Sequence, residues 1–196
     1  MIISGAYFED LILSADTKQL TLTAMTQINA TKVPLKITVY EDGKIITKAV
    51  GAANEPIVIP IPSPHLWTPE DPYLYNVSVS SSTGGQFPLG EEVTSYFGMR
   101  TVSLSMTAAG KKTLQLNGNP FFASGWLDQS WWPDGQYTAP TDEALAFDVY
   151  AVKTFGFNMV RLHQKINPAR WYYHADKVLL RLLFLLLLWS SHCSES

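Results

Sequence analysis

The stretch Tyr73-Leu74-Tyr75-Asn76-Val77-Ser78-Val79-Ser80 alternates apolar side chains with small polar ones over most of its length. Successive side chains of a β-strand point to opposite faces, so this pattern predicts a strand with one face in a hydrophobic core. The same alternation recurs in three earlier stretches, residues 20–25, 35–40 and 57–61. No helical period interrupts it before about residue 110, which favours an all-β first part of the chain.

Turn-forming residues separate these stretches. Glu41-Asp42-Gly43-Lys44 and Thr83-Gly84-Gly85 both suit the tight turn of a hairpin. Several prolines keep residues 59–72 out of a central strand, because proline cannot donate a ladder hydrogen bond. About seven short strands over roughly 110 residues are typical of an immunoglobulin-like β-sandwich. We therefore predict that fold for residues 1–110.

The pattern changes after Gly110. Residues 113–116 and 121–123 read as short strands on either side of the turn Asn117-Gly118-Asn119-Pro120, and residues 125–135 read as a loop rich in Trp and Gly.

Two helices are predicted further along the chain. Thr141 is a suitable N-cap for the first, and Gly156 suits its end. Residues 158–162 form a short apolar strand, after which Asn167 is expected to cap a second helix that has Pro168 at its first position. Strand and helix in alternation indicate a parallel α/β unit. A complete (β/α)₈ TIM barrel needs roughly 250 residues, so residues 111–177 are expected to supply an incomplete TIM barrel segment, its first two βα units.

Residues 178–196 form an aberrant leucine-rich tail. Its run of leucines includes Arg181 and is shorter than the ~20 apolar residues that span a bilayer, so we predict no membrane partner. A helix that is apolar on every side must be buried all round, so we expect this tail to drive aggregation.

The overall charge is low, with a formal net charge of -3, and lysine and arginine form no cluster longer than Lys111-Lys112. This distribution gives no basis for a nucleic-acid partner. The single cysteine, Cys193, excludes an intrachain disulfide. The first residues do not have the pattern of a signal peptide. Two glycosylation triplets, at Asn29 and Asn76, would permit glycans if the chain entered a secretory pathway, but such triplets often occur by chance, so the compartment stays unassigned.

Four motifs, in order along the chain, resemble those of glycoside hydrolase family 2. Residues 65–75, His-Leu-Trp-Thr-Pro-Glu-Asp-Pro-Tyr-Leu-Tyr, are similar to the link into the last strands of the family's immunoglobulin-like domain, and residues 95–100, Ser-Tyr-Phe-Gly-Met-Arg, to its exit strand. Residues 116–122 resemble the hairpin that leads into its first barrel strand, and residues 156–163 its second barrel strand. The resemblance is strong over residues 65–177 and looser over residues 1–64.

The resemblance implies a retaining glycosidase, a hydrolase of O-glycosyl bonds in carbohydrate metabolism, with a carbohydrate substrate and with no cofactor or metal. Such enzymes use two carboxylates about 5 Å apart, one as acid/base and one as nucleophile. In the family these follow the fourth and seventh barrel strands, and this chain reaches about the third. We therefore assign no catalytic residue here and expect the chain alone to be inactive.

Residues 127–143 resemble one branch of the family, often described as β-galactosidase-like or sugar-binding. Ser124 stands where the family usually has arginine, and Leu127-Asp128-Gln129 replace an Asn-x-His stretch. These differences leave the sugar and its linkage unassigned.

Five residues are candidates for binding substrate, because they follow the two predicted barrel strands at the end where barrel active sites form. They are Asp128, Gln129, Trp132, Arg161 and His163.

Each candidate also has a structural alternative. Asp128 could merely order its loop, and Arg161 could bond a carboxylate inside the barrel beside a satisfied His163. Trp131 and Trp132 are adjacent, so at most one of them should stack on a sugar.

Two other functions stay open at this point. The chain could be a non-catalytic β-sandwich module that binds carbohydrate or another protein, or a pseudogene product without a function.

Overall fold

A computed structural model describes residues 8–28, 33–81, 92–163, 165–178 and 181–182. The chain divides into two compact units, with the main break at about residue 103. Residues 68–72 belong to the second unit and residues 115–119 to the first. The boundary that we placed at residue 110 remains a prediction.

The first unit is a β-sandwich of two antiparallel sheets. Three strands form one sheet in the order β1-β2-β5, and four form the other in the order β4-β3-β6-β7. The strands are β1 (Phe8–Asp16), β2 (Thr21–Ile28), β3 (Pro34–Glu41), β4 (Lys44–Ala52), β5 (Ile57–Pro60), β6 (Tyr75–Ser81) and β7 (Val93–Phe97). The sandwich predicted from the alternating stretches is confirmed.

The core of this unit lies on the faces that the alternation indicated. On neighbouring strands β3 and β6, Ile37 pairs with Val79 and Val39 with Val77, and all four side chains are buried. Leu20 is an exception: it lies in the turn before β2 with φ of 54°, and its side chain is exposed.

The hairpin predicted at residues 41–44 is present. Glu41 and Lys44 are paired, and Asp42 and Gly43 take the left-handed φ values of 48° and 77° that a tight hairpin turn requires. The prolines act as expected, because β5 is an edge strand that pairs with β2 alone among the described strands. The other predicted turn, at residues 83–85, and the triplet at Asn29 lie outside the described residues.

A small sheet follows, with β8 (Val102–Met106), β9 (Lys112–Leu116) and β10 (Asn119–Pro120) in the order β10-β9-β8. β9 confirms the strand predicted at 113–116, but the one predicted at 121–123 is wrong. Asn158 explains the difference, because its side-chain amide donates to the Phe122 carbonyl oxygen at 3.0 Å and accepts from the Ser124 N–H at 2.9 Å. A side chain thus takes up backbone groups that a neighbouring strand would otherwise pair.

The second unit contains a parallel sheet. Its strands are β11 (Gly125–Asp128), β12 (Met159–Leu162) and β13 (Arg181–Leu182), in the order β11-β12-β13, connected by α1 (Asp142–Thr154) and α2 (Ala169–Val178). The alternation of strand and helix follows the prediction, but β11 begins inside the predicted loop 125–135. The error comes from Gly125, which we read as a turn residue. In the structure Gly125 permits a close approach of the β11 and β12 backbones, because a Cβ there would overlap the Met159 carbonyl oxygen.

The first helix begins and ends as predicted. The Thr141 hydroxyl accepts from the Ala144 N–H at 3.1 Å, and Gly156, with φ of 79°, donates its N–H to the Lys153 carbonyl. The second helix does not begin as predicted. The Asn167 side chain accepts no helix N–H, and its amide group donates to Ser130 Oγ at 3.2 Å.

A second hydrophobic cluster holds these elements together. Its buried members are Leu145, Val149, Val152, Val160, Leu162, Trp171, Ala175 and Val178. Of the leucine-rich tail, residues 181–182 form β13, and residues 179–180 and 183–196 lie outside the described residues. Neither α1 nor α2 is long and apolar enough to cross a membrane.

Candidate functional site

A cavity of about 440 Å³ opens in the second unit, after the carboxyl ends of β11 and β12. Neighbouring parallel strands bring the segments that follow them to the same edge of the sheet, which is where α/β proteins place their sites. The lining residues are Gln129, Trp131, Tyr137, His163, Lys165, Ile166, Asn167 and Pro168.

Two predicted site residues meet at this edge. Gln129 Nε2 lies 3.3 Å from His163 Nδ1, and the backbone N–H of His163 donates to the backbone carbonyl of Asp128 at 2.9 Å. When the glutamine amide donates, the ring nitrogen Nδ1 accepts, and the proton of the neutral imidazole is on Nε2. The pair can then offer a ligand two groups, the Nε2–H donor of His163 and the side-chain carbonyl acceptor of Gln129.

Asp128 is buried and orders the loop that follows β11. Its carboxylate accepts from the Ser130 N–H at 2.6 Å and lies 3.0 Å from the Ser130 hydroxyl through each of its oxygens. It is not a lining residue of the cavity. The geometry therefore matches the structural alternative for Asp128, and its role towards substrate remains a prediction.

The two adjacent tryptophans point in different directions. The Trp131 and Tyr137 rings lie 4.4 Å apart at 37° and form an exposed aromatic wall of the cavity. Trp132 exchanges backbone hydrogen bonds with Gln136 and packs against the hydrophobic cluster of the second unit. We chose Trp132 as the stacking residue, whereas the structure places Trp131 on the cavity.

Arg161 lies on β12 opposite Leu127, partly buried. Its side chain does not line the cavity, although that of His163, two residues further, does. The sequence reasoning missed Tyr137, which lines the cavity from the segment after β11, and Lys165 and Asn167, which line it from the segment after β12.

The cavity has one cation close to two carboxylates. Lys165 Nζ donates to the Ser130 carbonyl at 3.0 Å and lies 5.6 Å from the Tyr137 ring centre. Burial lowers the pKa of Lys165, and the charges of Asp128 and Asp148 oppose that shift. Burial raises the pKa of Asp148, the charge of Asp128 adds to the effect, and Lys165 opposes it.

The lining of the cavity carries groups that can bind a polar ligand. Among the described residues, no aspartate or glutamate lines the cavity, and no group of three His, Cys, Asp or Glu side chains is placed to hold a metal ion. What the lining offers is aromatic surface, amides, an imidazole and one ammonium group.

Comparison with known proteins finds similarity to one family of enzymes. The model of glycosyl hydrolases family 2 matches residues 6–100, which includes the stretch where we expected a looser resemblance. A β-galactosidase of Lactococcus lactis is 27% identical over 145 residues, which are 73% of this chain and 13% of that protein.

Solved structures match the fold. A β-glucuronidase of Bacteroides uniformis superposes with a TM-score of 0.71 at 19% identity, over 90% of this chain and 22% of its own. A β-D-glucuronidase of Dictyoglomus thermophilum gives 0.73 at 17% identity, over 91% of this chain and 29% of its own.

This chain spans less than a third of the length of each of these three proteins. The matches of sequence and of fold agree with the four motifs quoted above, and together they support membership of this chain in glycosyl hydrolases family 2.

Proposed function

We propose that this chain is part of a family 2 glycosidase and that the cavity after β11 and β12 binds carbohydrate. The supporting observation is the lining, which sets the aromatic wall of Trp131 and Tyr137 beside the hydrogen-bonding pair of Gln129 and His163. Carbohydrates present apolar C–H faces and rings of hydroxyl groups, so a site of this class combines apolar surface with a few placed donors and acceptors.

In this proposal the chain supplies binding groups, and the hydrolytic carboxylates come from a further part of a longer protein. Retaining hydrolysis needs an acid/base and a nucleophile about 5 Å apart. Asp128 is buried against Ser130, which leaves it poorly placed for either role. The parallel order β11-β12-β13 supports residues 111–177 as the start of a (β/α)₈ barrel after a sandwich over residues 1–110.

Sugar binding is tested with the full chain and two probes, methyl β-galactoside and methyl β-glucuronide, by isothermal titration calorimetry. We expect at least one to bind, and Trp131→Ala to abolish the response. Phe147→Ala is the matched control, because Phe147 is also an exposed aromatic residue and lies outside the cavity lining. Equal binding by the two variants would contradict the proposal.

Hydrolysis is tested with aryl β-galactoside and β-glucuronide substrates. We expect no turnover above the blank, because the lining carries no carboxylate among the described residues. Turnover above the blank by the wild-type chain would overturn the division of labour proposed here.

The β-sandwich module is the second candidate, and it is favoured by the position of the family match, residues 6–100. A fragment limited to the sandwich distinguishes the two. Sugar binding that survives in this fragment would support the module, whereas binding that requires residues 120–178 supports the cavity.

A further inference from the structure

Ser130 is the buried junction of the cavity, although it does not line it. Its side chain is 3% exposed. Its two chain neighbours, Gln129 and Trp131, both line the cavity, and so do its two hydrogen-bond partners from the segment after β12, Lys165 and Asn167. One small residue is thus connected to half of the lining.

The hydrogen bonds of Ser130 fix the direction of a second side chain. A serine hydroxyl has a single proton, and here both possible acceptors are the oxygens of Asp128, each at 3.0 Å. Towards Asn167 the hydroxyl oxygen can therefore only accept, so the amide nitrogen of Asn167 must face it, at 3.2 Å. Ser130 thereby sets the orientation of the Asn167 amide.

The backbone of Ser130 is held in an unfavourable conformation. Its φ is 45°, in the left-handed region that costs a non-glycine residue about 1–2 kcal/mol. Its N–H donates to Asp128 and its carbonyl accepts from Lys165, so both backbone groups are bonded to charged side chains. Bonds to charged groups are among the strongest in proteins, and they can hold this conformation.

We propose that Ser130 is the positioning residue of the carbohydrate site and that Asp128 acts through it, without touching the sugar. This inference rests on the proposed function. Ser130 ties the loop after β11 to the segment after β12, and so fixes Trp131 relative to His163. Without its hydroxyl, the two segments lose the bond between Ser130 and Asn167 and keep only the Lys165 bond to the Ser130 backbone carbonyl. Their connection is then weakened, while the hydrophobic cluster beneath them stays intact.

The test compares two variants of the full chain by hydrogen exchange, in the absence of any sugar. Ser130→Ala removes the hydroxyl and keeps the backbone strain, whereas Ser130→Gly removes the hydroxyl and relieves the strain. In both we expect amides in residues 129–137 and in residues 165–168 to exchange about tenfold faster together, since a lost buried hydrogen bond corresponds to about that factor. Thr141→Ala is the control, because it removes the cap of α1 without touching the cavity.

A second measurement follows binding of the methyl glycoside that the wild-type chain accepts. We expect Ser130→Ala and Asp128→Asn to weaken binding about tenfold, with Thr141→Ala near wild type. The positioning role is refuted if only one of the two segments responds in exchange, or if Ser130→Ala binds the glycoside with wild-type affinity. If the wild-type chain binds neither glycoside, the carbohydrate site is wrong, and the exchange result still decides whether Ser130 couples the two segments.

Discussion

Asp142 of α1 and Arg170 of α2 form a two-pronged ion pair, with Arg170 Nε 2.8 Å from Asp142 Oδ1 and its NH2 nitrogen 2.9 Å from Oδ2. His174 Nε2 lies 3.0 Å from the same Oδ1. Asp142 also stands in the first turn of α1, where the helix dipole favours a negative charge. The pair links the starts of the two helices that follow β11 and β12.

This relationship predicts a pH-dependent stability. The hydrogen bonds from Arg170 and then from His174 hold the pKa of Asp142 well below its ordinary value of 3.8. A carboxyl whose pKa is lower in the folded state contributes stability above the unfolded value and loses it as the pH falls below 3.8 towards the folded value. Asp142→Asn should therefore lower the melting temperature near neutral pH, and the difference should shrink below pH 3.8.

Asp134→Asn is the control for that measurement, because Asp134 is exposed and lies outside both helices. It should leave the melting temperature unchanged across the same range. An Asp142→Asn difference of constant size down to strongly acid pH would contradict the ion-pair account.

A second prediction concerns Gly125, where the chain approaches Met159 so closely that a Cβ would overlap its carbonyl oxygen. Gly125→Ala should separate β11 from β12 and cost about 3 kcal/mol or more, as overpacking against backbone does. Gly110→Ala is the matched control, because Gly110 has φ of 73° and open space around it. Its cost should be about 1 kcal/mol, the cost of a left-handed alanine. Chemical denaturation measures both, and similar costs would show that β11 and β12 tolerate separation.

A third prediction concerns Asn158, whose side chain forms hydrogen bonds with the backbone of Phe122 and of Ser124. Asn158→Asp keeps the acceptor for the Ser124 N–H and replaces the donor to the Phe122 carbonyl by a second acceptor, whereas Asn158→Ala loses both bonds. We expect the alanine variant to be destabilised by about 1–3 kcal/mol, with the aspartate variant between it and wild type. Thermal unfolding monitored by circular dichroism tests the order. An aspartate variant no more stable than alanine would show that the bond to Ser124 does not outweigh the repulsion between the new carboxylate and the Phe122 carbonyl.

The sequence predicted the fold best in strands that have one face buried in the core. Alternation on β3 and β6 located the sandwich, because burial on one face of a strand leaves a period of two in the sequence. The prediction was wrong at residues 121–123, where the Asn158 side chain bonds the backbone groups that a strand partner would bond. It was also wrong at Gly125, where the glycine allows two strands to pack closely and does not form a turn.

The candidate site was also predicted only in part. Position after a predicted barrel strand was enough to select Gln129 and His163, which do meet at the cavity. It selected Trp132, whereas Trp131 lines the cavity, because the directions of two adjacent side chains depend on the backbone of their loop, which no periodic pattern encodes. Lys165 carried no signal at all, since its role arises from the distant carbonyl of Ser130.

The last prediction concerns where the first unit ends. Asn117 lies beyond the boundary drawn at residue 110, yet its side chain accepts from the Thr101 N–H at 3.0 Å and donates to the Trp67 carbonyl at 3.1 Å. Trp67 is fully buried, and the Arg100 guanidinium stacks on its ring at 4.4 Å. A fragment of residues 1–110 loses both Asn117 bonds and the partner strand of β8.

We therefore expect a fragment of residues 1–120 to unfold at a clearly higher denaturant concentration than one of residues 1–110. Asn117→Ala in the longer fragment should remove about 1–3 kcal/mol of the gain, because it leaves the Trp67 carbonyl without that donor. Asn119→Ala is the control, since Asn119 is an exposed neighbour on β10. Equal midpoints for the two fragments would restore the boundary at residue 110, whereas a difference that Asn117→Ala removes would move it to the end of β10.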